Sequence, residues 1–153
     1  MFLYRDFDNG IQVSRLNILI GGVNMHKGSC LCGKVKLKIT ADLGSGDMCH
    51  CRQCRQWTGH IYAGVDVPRG DLTIEGEEYI QWYYSSEKVR RGFCKECGSS
   101  LFFDPVDQEK HKWIGVTLGV LDSPTNTTIE LHIFTAEKGD YYQILDGAKQ
   151  NKH

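Results

Sequence analysis

Seven cysteines fall into three groups: Cys30-Leu31-Cys32, Cys49-His50-Cys51-Arg52-Gln53-Cys54 and Cys94-Lys95-Glu96-Cys97. Thiolates one or two residues apart, gathered by folding, chelate a soft borderline metal, above all zinc. The outer groups together supply four sulfurs, enough to close a tetrahedral site and exclude a substrate. The middle group supplies three, which leaves such an ion one donor short. An open corner of that kind is where metal chemistry is done. A rival pairing, Cys49 and Cys51 with Cys94 and Cys97, satisfies the same spacings.

His50 and His60 are the side chains near enough in sequence to fill the open corner. His50 lies between two ligands and should point away if both flanking sulfurs point inward. His60 remains as the closing donor of a three-cysteine, one-histidine site. Zinc with three thiolates carries a formal charge of about −1 and is poor at making hydroxide; it favours sulfur, and a thiol of pKa ~8.5 loses its proton on binding. The chemistry expected is a thiolate adding to an electrophilic carbon, or the reverse cleavage of a carbon–sulfur bond. Arg52 and Arg55 either offset the cluster's charge or bind a carboxylate of the thiol's carrier, or else are solvated surface arginines. Trp57 and His60 complete the candidate surroundings. No Asp or Glu stands out as a general base.

The rest of the composition bounds this reading. The chain has 153 residues, enough for one hydrophobic core, with 18 Lys plus Arg against 19 Asp plus Glu. A net charge of −1 gives no electrostatic footprint for nucleic acid or an anionic membrane. Arg5, Asp6 and Asp8 precede any long apolar run, so no export signal is read and a cytoplasmic location is expected. There, disulfides are improbable, and an odd count of seven cysteines cannot pair completely. Use of Cys94 and Cys97 as a redox dithiol is a weaker reading, because zinc employs the same sulfurs.

Period-two alternation predicts the elements that position these groups. Lys34-Val35-Lys36-Leu37-Lys38-Ile39 alternates strictly, giving a strand with one wet and one buried face. Strands are also expected over residues 61–67, 72–74, 79–84, 101–103, 113–120 and 129–134. Helix is expected only just after Cys51 through Trp57, and as a turn or two at Tyr141–Leu145. Cys30 and Cys32, read as extended backbone, would aim both sulfurs to one side. Residues 1–24 carry no cysteine and read as an N-terminal extension, or, through the alternation of Ile11, Val13, Ile18 and Ile20, as an added edge strand; residues 25–153 read as a single zinc domain.

Three stretches together resemble the glutathione-dependent formaldehyde-activating enzyme family, the CENP-V/GFA domain. They are Gly28-Ser29-Cys30-Leu31-Cys32-Gly33-Lys34-Val35, Cys49 through Arg55, and Arg91-Gly92-Phe93-Cys94 through Phe102, with His132-Ile133-Phe134 and Tyr142 resembling the closing segment. The resemblance implies an all-β β-tent of twisted antiparallel sheets stapled by zinc, with little helix. It implies two zinc ions: a structural one on Cys30, Cys32, Cys94 and Cys97, and a catalytic one on Cys49, Cys51 and Cys54. The family's reaction joins glutathione to formaldehyde as S-hydroxymethylglutathione, a carbon–sulfur lyase step in reverse. Centromere-associated relatives suggest the alternative, a non-catalytic zinc module for a protein or chromatin partner.

Overall fold

The computed structural model describes residues 24–153. The extension expected over residues 1–24, with its alternating isoleucines, lies outside them but for Asn24. In chain order the elements begin with β1 (His26–Ser29), β2 (Lys36–Ile39), β3 (Gly46–Cys49), α1 (Arg52–Thr58), β4 (Tyr62–Pro68) and β5 (Leu72–Glu75). They continue with β6 (Ile80–Tyr84), β7 (Val89–Cys94), β8 (Ser100–Pro105), β9 (Trp113–Thr117), β10 (Ile129–Ile133) and β11 (Lys149–Gln150). A three-stranded sheet runs β1-β2-β5, and an eight-stranded sheet runs β11-β10-β3-β4-β9-β8-β7-β6. Among the described residues the fold is all-β with one α-helix, as the alternation predicts. Pairing is antiparallel except at β10, which runs parallel to both β3 and β11.

Alternation explains how the sheets meet. In β2, Lys36 and Lys38 face water while Leu37 and Ile39 are buried, and Lys38 pairs with Glu75 across the sheet at 2.9 Å. Leu37 and Ile39 join Val65, Val67, Phe102, Ile114 and Val116 from one face of the large sheet in a single core. The intervening residues of the large sheet must then face the other way. Asp47 and Cys49 on β3, Tyr62, Gly64 and Asp66 on β4, Gly115 on β9, Phe103 on β8 and Arg91 on β7 occupy that second face.

The structure corrects three local readings. Cys30 and Cys32 lie in a turn rather than in extended backbone: Gly33 N–H donates to the Cys30 carbonyl at 2.9 Å, and Gly33 takes φ +75°. The turn, rather than strand alternation, gathers their sulfurs. Residues 141–145 form no helix. The Tyr142 carbonyl instead accepts from Lys138 Nζ at 3.0 Å. Residues 118–120 leave the β9 strand as a 3₁₀ turn.

A buried carboxylate locks one edge of the large sheet. Asp104 is fully buried, and its two oxygens accept from Arg69 Nη2 at 2.5 Å and Arg90 Nε at 2.7 Å. Asp104→Asn preserves shape but strands both guanidinium groups. It is expected to cost about 3 kcal/mol, read as a lower urea midpoint at unchanged slope.

Candidate metal centres and the cavity beside them

The pairing of the outer cysteine groups is what the fold brings about. The Cys30–Cys32 turn follows β1, and Cys94 ends β7, with Cys97 in the tight turn before β8. Their four Sγ atoms lie within 4.8 Å of one another, with Cys30–Cys32 at 3.5 Å and Cys32–Cys94 at 3.8 Å. Tetrahedral zinc with ~2.3 Å bonds needs sulfurs ~3.8 Å apart. The donor set fits. Supporting contacts fix it: Val35 N–H donates to Cys30 Sγ at 3.3 Å, and Ser99 Oγ lies 3.3 Å from Cys97 Sγ while accepting from Leu31 N–H. The Ser99 hydroxyl and backbone hold the Cys97 thiol down to about 6.

Cys49, Cys51 and Cys54 form the second group, their Sγ atoms also within 4.8 Å of one another. Cys49 ends β3, Cys51 caps α1, and Cys54 is its buried first-turn residue. The Cys51 sulfur accepts Cys54 N–H at 3.3 Å, so one short helix sets the spacing of two donors. Gly59, at φ +83°, ends the helix. Among the described residues, no histidine nitrogen or carboxylate oxygen joins either group. The rival cysteine pairing is not the one the fold produces.

His50 points away from the sulfurs into a buried chain of its own. Its Nε2 lies 2.7 Å from His132 Nδ1, its Nδ1 2.8 Å from the Tyr142 hydroxyl, and His132 Nε2 2.8 Å from Asp146. The Asp146 carboxylate can only accept, so His132 carries its proton on Nε2 and accepts at Nδ1. His50 then donates from Nε2 and accepts from Tyr142. Burial, followed by the nearby His132, lowers the His50 pKa, consistent with this neutral form. The chain pins the backbone between Cys49 and Cys51.

The four expected surrounding residues lie outside the cavity lining. Arg52 is exposed. Arg55 is spent on carbonyls, donating to His50 O at 3.1 Å and Glu137 O at 3.0 Å. His60 is exposed, packing against Tyr141 and Tyr142. Trp57 stacks under a different arginine, with the Arg91 guanidinium 4.7 Å from its ring centre.

Arg91 is the cation that sequence reasoning passed over. It is 3% exposed, both terminal nitrogens lie 3.7 Å from Cys54 Sγ, and it also binds Gln53 Oε1 at 2.8 Å and Ser85 Oγ at 3.1 Å. The Cys49 thiol first, and Arg91 with it, hold the Cys54 thiol down to about 6. No local pattern marked it: the pairing of β7 with β8 puts Arg91 beside Phe103, on the face opposite the core. A cavity of about 320 Å³ opens beside the cluster, with Cys49, Cys51, Cys54 and Arg91 at one end and Asp47 and Asp66 among its other walls. Phe103, Tyr62 and Trp113 line it between. Burial, and then the charge of Asp66, push Asp47 up to about 6, and burial raises Asp66 as well.

The family model described as glutathione-dependent formaldehyde-activating enzyme matches residues 25–137, most of the chain and both cysteine centres. The chain belongs to this family. Among GFA relatives, an uncharacterised lyase of Schizosaccharomyces pombe is 27% identical over 121 residues, covering 79% of this chain and 86% of that protein. A protein of Aspergillus flavus, provisionally named a glutathione-dependent formaldehyde-activating enzyme, is 29% identical over 99 residues, covering 62% of this chain and 49% of its own length. The GFA chain described here thus matches about half of that longer relative. A crystal structure of a Rhodobacter sphaeroides protein superposes with a TM-score of 0.50 at 25% identity, covering 63% of this chain and 88% of that one. No helix among the described residues is long and apolar enough to cross a membrane.

Proposed function

We propose that this chain is a zinc-dependent enzyme of the carbon–sulfur lyase type, acting on adducts of a small thiol and a small aldehyde. Cys30, Cys32, Cys94 and Cys97 hold a structural zinc ion; Cys49, Cys51 and Cys54 hold the second. The observation that carries the reading is the three-sulfur cluster at the wall of a cavity, with no side chain among the described residues supplying a fourth donor. Zinc bound there would supply a thiophilic centre that favours a fourth sulfur in its thiolate form.

The chain's own residues set the conditions. Arg91 offsets the charge that collects at Cys54, and Gln53 and Ser85 fix the guanidinium in place. Trp57 and Phe103 cover its faces and keep water from it. In the synthetic direction the thiol's sulfur forms a bond to the aldehyde carbon. The carbonyl π pair moves to oxygen, and the proton lost by the thiol is balanced by one gained there. In the lyase direction both transfers reverse. The family name supplies glutathione and formaldehyde as the first pair to try.

The test is the rate of adduct formation from glutathione and formaldehyde, followed by NMR with zinc-loaded protein. Catalysis above the uncatalysed rate is expected, lost in Cys54→Ala while the near-UV spectrum survives. A Cys54→Ala protein as active as the wild type would sink the proposal.

A further inference from the structure

His50 stands between two sulfur donors, and the way it is held decides where those sulfurs sit. Cys49 ends β3 and Cys51 caps α1, so the single residue between them joins a strand to a helix. Any turn of the peptide units at His50 moves one sulfur against the other. Its side chain leaves on the side away from both. His50 is fully buried, and each of its four polar groups has a partner. The backbone N–H donates to the Ile133 carbonyl at 3.0 Å, and the His50 carbonyl accepts from Arg55 Nε at 3.1 Å. The ring nitrogens meet His132 Nδ1 at 2.7 Å and the Tyr142 hydroxyl at 2.8 Å.

The partners of the ring come from the last part of the chain and are themselves fixed. His132 is 2% exposed, and Asp146 accepts from its Nε2 at 2.8 Å. The His132 carbonyl accepts from Asn151 N–H at 2.8 Å, and β10 pairs with β11 at His132 and Gln150. Ala148 N–H donates to Asp146 Oδ1 at 3.1 Å, and Lys138 Nζ donates to the Tyr142 carbonyl at 3.0 Å. Proton order is set from the Asp146 end, because a carboxylate only accepts. Every nitrogen of both rings is then matched to its neighbour as donor or acceptor. A buried ring matched in this way cannot shift without leaving a polar group unpaired, which is costly. The first centre takes no part in this chain; its sulfurs meet Val35 N–H and the Ser99 hydroxyl instead.

We infer that Tyr142, His132 and Asp146 are positioning residues for the second metal centre. Acting through His50, they hold Cys49 and Cys51 at the spacing that zinc needs. This rests on the reading that Cys49, Cys51 and Cys54 bind zinc, and adds the residues that set how tightly.

The test is zinc affinity at each centre of the full chain, read by competition with a coloured chelator. Tyr142→Phe removes the donor to His50 Nδ1, and His132→Leu removes the acceptor of the His50 Nε2 proton. Each is expected to weaken the second ion about tenfold, as removal of groups that orient metal ligands does, and to leave the first unchanged. His132→Asn puts an amide oxygen near the lost Nδ1 and should recover most of the affinity. Asp146→Asn, at the half-exposed end of the chain, should weaken it less. In Cys54→Ala, expected to keep only the first ion, adding Tyr142→Phe should change nothing. Asp104→Asn is the control for general destabilisation: it should lower the urea midpoint without a selective loss of the second ion. Unchanged affinity in Tyr142→Phe and His132→Leu, or equal weakening of both ions, overturns this inference and leaves the zinc reading standing. A wild-type chain that binds only the first ion overturns both.

Discussion

Cys94→Ala is expected to leave a chain that does not hold its native structure at neutral pH. Cys94 is fully buried, 3.8 Å from Cys32 Sγ across 62 residues of sequence, and it ends the strand from which the Cys97 turn departs. Apparent zinc affinities at such sites run to ~10–16 kcal/mol, against a net stability of ~5–15 kcal/mol for a whole domain. The staple thus contributes as much as the margin by which the domain is folded. Far-UV circular dichroism and thermal melting check this. A strong chelator acting on the wild type should produce the same loss, reversed by zinc. A cooperative melt for Cys94→Ala near the wild-type midpoint contradicts it.

Arg91→Leu carries the second large effect, on binding rather than folding. The guanidinium sits between the Trp57 and Phe103 rings, 4.7 and 5.3 Å from their centres, so leucine fills the space among apolar neighbours. What it removes is the positive charge beside Cys54. A zinc ion with three thiolates is already negative, and a fourth thiolate adds to that charge. Truncating one partner of such a buried charge pair costs ~2–5 kcal/mol. Thiol affinity should therefore fall about a hundredfold, with the circular dichroism spectrum retained. Arg91→Lys should recover part of it, because one charge returns without the fork that also reaches Gln53 and Ser85. Unchanged thiol affinity in Arg91→Leu would show that the guanidinium does not compensate the cluster.

Much of this was written in the spacing of residues, and some could not be. The lysine-alternating run gave β2 and its buried face, because period two is a local property of the backbone. Alternation also gave strands near the observed β4, β5, β6, β8, β9 and β10. The helix expected just after Cys51 through Trp57 is the observed α1, which runs one residue further. The strands β1, β3 and β7 were missed because cysteines, glycine and charged residues interrupt their apolar pattern, and β11 because its two residues, Lys149 and Gln150, carry none. Cys30 and Cys32 were read as extended, yet a left-handed Gly33 closes them into a turn. Arg52 and Arg55 drew attention by sitting beside the cluster in sequence. Arg91, 37 residues from Cys54, reaches its sulfur through strand pairing that no local pattern reports. The same holds for His132 and Asp146, which meet His50 only because β10 runs parallel to β3.

The most direct test of the whole account counts sulfur around zinc by X-ray absorption on the native protein, prepared reduced and without chelators. Two zinc ions per chain are expected, one with four cysteine sulfurs and one with three, and a single further sulfur at the second ion when the thiol is added. A protein that keeps its shape with no metal, or a second ion already holding four protein donors and indifferent to thiol, would contradict it.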